Sequence, residues 1–139
     1  MKIDWSGRSH TYSNEDLKYF VKVLKSADPL TQGRYLQKFE KNFSKYINNK
    51  NVLAVSSAAS ALEMIASSLD LKKNDEVIIP SHTYCASAIP FARKKAKIIW
   101  ADIDFKTRVV DLNDIKKKIT KKTKAVIPVH MLGTPAKLD

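Results

Sequence analysis

Apolar residues recur along this chain with helical spacing in some stretches and as short unbroken runs in others. From Ser13 to Lys25, Leu17, Phe20, Val21 and Leu24 fall at helical intervals behind Ser13-Asn14-Glu15-Asp16, a capping residue followed by an acidic first turn. Pro29, after Ala27-Asp28, stops that helix. A second helix is predicted over about Arg34 to Ile47, with Tyr35, Leu36, Phe39, Phe43, Tyr46 and Ile47 on one stripe, read as core packing. Beyond Asn48-Asn49-Lys50-Asn51, apolar runs near 52–55, 76–79, 97–101 and 124–129 alternate with amphipathic stretches near 59–69, 84–94 and 111–119. Runs without polar alternation, separated by helices, predict a three-layer α/β sandwich whose mostly parallel sheet is covered on both faces. Ligands of such sheets bind beyond the carboxyl ends of the strands, where Ser56–Ser60, Pro80–Tyr84, Asp102–Asp104 and His130–Gly133 fall.

The most informative stretch runs from Val52 to Ala86. Val52–Val55 reads as a buried strand feeding the N-terminus of a helix through Ser56, Ser57, Ala58 and Ala59. The first amides of a helix lack intrahelical partners and sit at the positive end of its dipole, and these small residues let a phosphate approach the backbone. A plain helix cap is the competing reading, since neither Gly-x-Gly-x-x-Gly nor Gly-Lys-Ser/Thr is present. The run Glu76–Ile79 ends in Pro80-Ser81-His82-Thr83-Tyr84, which would bring an aromatic ring to the same sheet edge. A phosphate cradle beside an aromatic lid suits a flat phosphorylated cofactor; a core aromatic at a helix start is the alternative for Tyr84. Leu30-Thr31-Gln32-Gly33 reads by itself as a turn that uses Gly33 for a positive φ.

Six pieces form an ordered series: Leu-Thr-Gln-Gly (30–33), Lys-Phe-Glu (38–40), Ser-Ser-Ala-Ala-Ser-Ala-Leu-Glu (56–63), Ile-Pro-Ser-His-Thr-Tyr (79–84), Thr-Lys-Ala-Val-Ile-Pro-Val-His (123–130) and Met-Leu-Gly (131–133). In this order and spacing the chain resembles the N-terminal part of the DegT/DnrJ/EryC1/StrS family of sugar aminotransferases, from about Trp5 to Asp139. The resemblance implies a pyridoxal 5'-phosphate (PLP) enzyme of fold type I, with 1–33 as an N-terminal helix and active-site loop and 34–139 as an incomplete large, cofactor-binding domain. It implies that Ser57, Ala58 and Ala59 hold the cofactor phosphate, that Tyr84 stacks on the pyridine ring, and that Thr31 and Gly33 touch substrate. Ala59 stands where the family commonly has a hydroxyl, so one charge-assisted hydrogen bond is absent or comes from Ser57 or Ser60.

The Lys that forms the Schiff base and the Asp that pairs with the pyridinium nitrogen have no counterpart here, so a truncated product without transaminase activity of its own is expected. The implied reaction of the whole enzyme moves an amino group, from glutamate, onto a nucleotide-linked keto-sugar, in a homodimer. A variant of the same family, with His in place of that Lys, dehydrates the sugar at C3, and the deciding residue is not in this sequence.

Composition adds bounds. With 139 residues, 44% of them hydrophobic, the chain can build one core. No run approaches the roughly 18 apolar residues that span a bilayer, and the first residues lack an apolar signal core, so no membrane partner and a cytoplasmic setting are expected. Cys85 is the only cysteine; a packed, inert thiol is expected, with a reactive one as the alternative. The net charge of +11 keeps a small polyanion-binding module open as a different class of function. Against nucleic acid, the charge is mostly Lys, without Arg forks or interleaved aromatics, and the run from Lys116 to Lys124 reads as a solvated helix end. A non-catalytic remnant is the third possibility. His82 and His130 are read as support and pocket lining, and no spacing suggests a metal site.

Overall fold

A computed structural model describes residues 12–26, 29 and 31–137; the expectations for the irregular first residues, for the helix exit at 27–28 and for Leu30 lie outside the described residues. The chain divides into two compact units, Met1–Ala54 and Val55–Asp139.

The first unit holds α1 (Asn14–Ser26) and α2 (Arg34–Tyr46). The cap of α1 is reciprocal: the Asp16 amide donates to the Ser13 hydroxyl at 3.1 Å, and the Ser13 amide donates to the Asp16 carboxylate at 2.9 Å. Neither helix has a buried residue, so the expected core stripe of α2 is not realised within this unit. Phe39 and Phe43 instead stack on each other at 5.8 Å and remain exposed, because two thirteen-residue helices offer too little surface to enclose both apolar stripes. Gly33 caps α2 with φ −85°, so it is not the positive-φ residue expected; Gln32 takes that conformation, at φ 52°. What Gly33 supplies is room, since a Cβ there would collide with the Pro29 carbonyl oxygen.

The run 52–55 forms no strand among the described residues. Leu53 is 65% exposed, and the Ala54 amide, instead of joining a ladder, donates to the Glu40 carboxylate at 2.9 Å. A strand exists only with a neighbour to pair with, and this run has none here.

The second unit contains α3 (Ala58–Ser68), β1 (Glu76–Pro80), a 3-10 turn (Cys85–Ser87), α4 (Ile89–Arg93), β2 (Lys97–Ala101), α5 (Leu112–Lys118) and β3 (Thr123–Val126). The strands are parallel in the order β2-β1-β3. β1 is buried throughout, and its side chains divide between two cores. Val77 and Ile79 pack with Ala66 of α3 and Phe91 of α4, while Ile78 packs on the other face with Ala101, Val110 and Ile115 of α5. Chain handedness explains this: the connections β1→β2 and β2→β3 step across the sheet in opposite directions, and right-handed crossovers then place α4 and α5 on opposite faces.

Two expected elements are shorter than the pattern suggests. The helix expected over 84–94 is broken into the 3-10 turn and α4, because Pro90 cannot donate to the carbonyl of Ala86 and its ring crowds the preceding turn. β3 stops at Val126; pairing continues through the Ile127 amide to the Ile78 carbonyl at 2.9 Å, and 128–130 run on unpaired. Among the described residues no helix is long and apolar enough to cross a membrane.

Candidate functional site

The start of α3 leaves two donors free. Ser57 caps it from an extended conformation, its hydroxyl accepting the Ser60 amide at 3.1 Å, and its carbonyl takes the Ala61 amide at 3.1 Å. Among the described residues the amides of Ala58 and Ala59 have no hydrogen-bond acceptor, and both residues are exposed. The Ser60 hydroxyl lies 3.0 Å from those of both Ser56 and Ser57, so three hydroxyls gather beside the two free amides. Ala59 brings no hydroxyl of its own, but this cluster holds donors that can turn toward an anion. Small side chains, open amides and the positive end of the helix together fit a phosphate group.

Tyr84 ends the segment that leaves β1. It caps the 3-10 turn, which is clasped by the Thr83 and Ser87 hydroxyls at 2.7 Å, and α3 packs against this same turn. The ring is 77% exposed, so it is not the core aromatic of the alternative reading. A second tie between α3 and the elements after β1 was not visible in the sequence: Arg93 of α4 donates to Glu63 of α3 at 2.8 Å, across thirty positions with no spacing signal. Cys85, next to Tyr84, is exposed and not packed as expected, because the turn around it is too short to bury it.

The carboxyl ends of β1 and β2 lie side by side, Pro80 pairing with Ala101 and the Ser81 amide donating to the Ala101 carbonyl at 2.8 Å. Beyond β2 the chain turns back, with Ile103 bridging Val110. Asp104 organises that turn by accepting the Thr107 amide at 2.7 Å, the Thr107 hydroxyl at 2.9 Å and the Lys106 amide at 3.1 Å. These donors, those of Thr107 foremost, hold its carboxyl below the usual range. Asp114 of α5 is likewise held low, first by its hydrogen bond from Lys118 at 2.7 Å and then by the Asp102 amide at 2.7 Å; the same pairing raises Lys118. His82 meets the Arg108 carbonyl at 3.4 Å, a supporting contact. His130 Nδ1 accepts the Ala136 amide at 2.9 Å, which ties down the turn over Met131–Thr134. Thr31 is exposed and Gly33 half-buried, both in the first unit. Among the described residues no group of three His, Cys, Asp or Glu side chains is placed to hold a metal ion.

A doubly wound parallel sheet with an anion-ready helix start, on a helix packed against the turn that follows the central strand, defines an α/β protein of ligand-binding type. The structure of a GDP-4-keto-6-deoxy-D-mannose-3-dehydratase from E. coli, with bound hydrated PLP, superimposes with a TM-score of 0.84 and 30% identity, covering 92% of this chain and 34% of that one. The fold class expected from the sequence is thus the observed one. The model of the DegT/DnrJ/EryC1/StrS aminotransferase family matches residues 10–139, and the chain belongs to that family. GDP-perosamine synthase of Vibrio cholerae is 35% identical over 84% of this chain and 32% of its own length. GDP-4-keto-6-deoxy-D-mannose 3-dehydratase of Yersinia pseudotuberculosis is 34% identical over 99% of this chain and 36% of its own. The chain thus spans about a third of the length of these curated relatives.

Proposed function

We propose that this chain supplies the cofactor-phosphate and ring-stacking side of a PLP-dependent enzyme that acts on a nucleotide-linked keto-sugar, with transfer of an amino group from glutamate as the reaction. The observation that carries the reading is the pair of free amides at Ala58 and Ala59 on a helix that packs against the turn behind Tyr84. Family membership and the named activities of the relatives support it. PLP, when bound, supplies an electron sink for the carbon bearing the amino group. The chain's own part is to hold and orient: the amides of Ala58 and Ala59 and the hydroxyl of Ser57 bind the phosphate, and the Tyr84 ring covers one face of the pyridine and keeps water from it. Thr31 and Gly33 contact the sugar substrate. A homodimer, which the family resemblance implies, and a cytoplasmic setting belong to the same reading.

A second reading, dehydration of the sugar at C3, is favoured by a specific observation: a 3-dehydratase matches this chain over 99% of its length. One experiment separates the two. The protein, expressed at its full length, is supplied with PLP, glutamate and a nucleotide-linked 4-keto-6-deoxy sugar, and the products are weighed by mass spectrometry. An amino-sugar product supports transfer, and a product that has lost the C3 oxygen and carries no sugar nitrogen supports dehydration. Absence of PLP binding at any concentration refutes both.

A further inference from the structure

The sheet edge opposite the candidate site is a rim of lysines. The three strands are parallel, so the loops that enter them lie together, about 10 Å from first to last at the usual strand spacing. Hydrogen bonds join them: the Lys97 amide donates to the Asp75 carbonyl at 2.8 Å, the Glu76 amide to the Lys122 carbonyl at 2.9 Å, and the Thr120 hydroxyl to the buried Glu76 carboxylate. Onto this stapled edge the chain brings Lys72 and Lys73 before β1, Lys94, Lys95 and Lys97 at β2, and Lys121, Lys122 and Lys124 at β3, all exposed. Among the described residues Lys72 alone of the eight makes an ion pair, with Asp70 at 3.7 Å. Asp70 and Asp75 lie in the loop into β1, Glu76 is turned inward, and Glu63 is engaged with Arg93, so few carboxylates among the described residues oppose them. Lysine runs scattered along the sequence thus become one cationic surface in the fold.

We propose that this rim docks the protein on an anionic lipid surface. Lysines presented without aromatic platforms suit headgroup phosphates, since stacking on bases has no counterpart there. The one nearby arginine, Arg93, is engaged with Glu63. Two apolar side chains stand among the lysines, Leu69 beside the loop into β1 and Ile119, 53% exposed, in the loop into β3. The headgroup boundary of a bilayer accepts such side chains, whereas a phosphodiester backbone does not. This departs from the expectation of solvated lysines and no membrane partner.

The test is co-sedimentation of the full-length protein with vesicles of phosphatidylcholine alone or mixed with phosphatidylglycerol, over a salt series. Binding is expected only to the anionic vesicles, weakening as salt rises. The combined variant Lys73→Glu, Lys94→Glu, Lys121→Glu, Lys122→Glu should bind them about a thousand-fold less. A control with the same charge change elsewhere, Lys38→Glu, Lys41→Glu, Lys45→Glu, Lys50→Glu, should bind nearly as the parent does, and Ile119→Ser should weaken vesicle binding while leaving retention on duplex DNA unchanged. Circular dichroism checks that each variant is folded. Equal binding to neutral vesicles, equal loss in both quadruple variants, or DNA binding tighter than vesicle binding in the same buffer overturns the proposal.

Discussion

Replacing Ala59 with Thr gives the sharpest test of the candidate phosphate site. Position 59 is exposed in the first turn of α3, so the longer side chain meets no core, and its amide is one of the two free donors. The substitution adds one hydroxyl beside the three of Ser56, Ser57 and Ser60. A hydrogen bond to a charged group contributes on the order of 1.5–3 kcal/mol, and at an exposed helix start the lower end applies. That corresponds to about ten-fold tighter binding of PLP. The assay is a titration of the full-length apoprotein, parent and Ala59→Thr, with PLP and separately with pyridoxal, which has the same ring and no phosphate. Tightening is expected for PLP only. Unchanged PLP affinity, or equal tightening for pyridoxal, would refute the assignment of the phosphate to this helix start while leaving the fold untouched.

Three further outcomes follow from the geometry. Ile78→Ala empties a fully buried position of the central strand and should lower unfolding stability in urea by about 2–5 kcal/mol. Gly33→Ala forces a Cβ against the Pro29 carbonyl and should cost about 1–3 kcal/mol, whereas Gln32→Gly should be neutral or stabilising because it relieves a positive φ; thermal melts of both variants check this. Asp104 and Asp114 have lowered folded-state pKa values, so the stability they give is complete above the ordinary Asp range of about 3.9 and is lost as pH falls through their folded values. Amide exchange at Asp102 and Thr107 should therefore speed up selectively in acid in the parent, and Asp114→Asn should abolish that acid response at Asp102.

The parallel sheet was legible because β1 is a short apolar run buried on both faces and β2 repeats such a run one helix later, a pattern with few other uses. The helices α1, α2, α3 and α5 were legible for a different reason: their caps and stripes are local. What escaped was set by partners distant in sequence or missing. Val52–Val55 has the composition of a strand, but strand formation depends on a neighbour's amides and carbonyls, and Glu40 took the Ala54 donor instead. Pro90 was in plain view, yet the break it imposes competes with an apolar pattern that runs straight through it. At the site, the order of small residues at 57–59 pointed to open amides, while the Arg93–Glu63 tie that holds α3 to α4 left no trace at a separation of thirty. Lysine positions were equally plain, but only the parallel topology shows that three separate runs reach one edge.

The middle position of β1 also fixes an order of events during synthesis. It is the first of the three strands to leave the ribosome, and both its flanks are taken by segments translated later. Until β2 arrives neither side is occupied, and until β3 arrives one side stays open, so a sticky hydrophobic ribbon is displayed for the time needed to make about fifty residues. Slowing translation between Pro80 and Thr123 should lengthen that exposure and raise the demand for chaperones without altering any contact of the finished molecule.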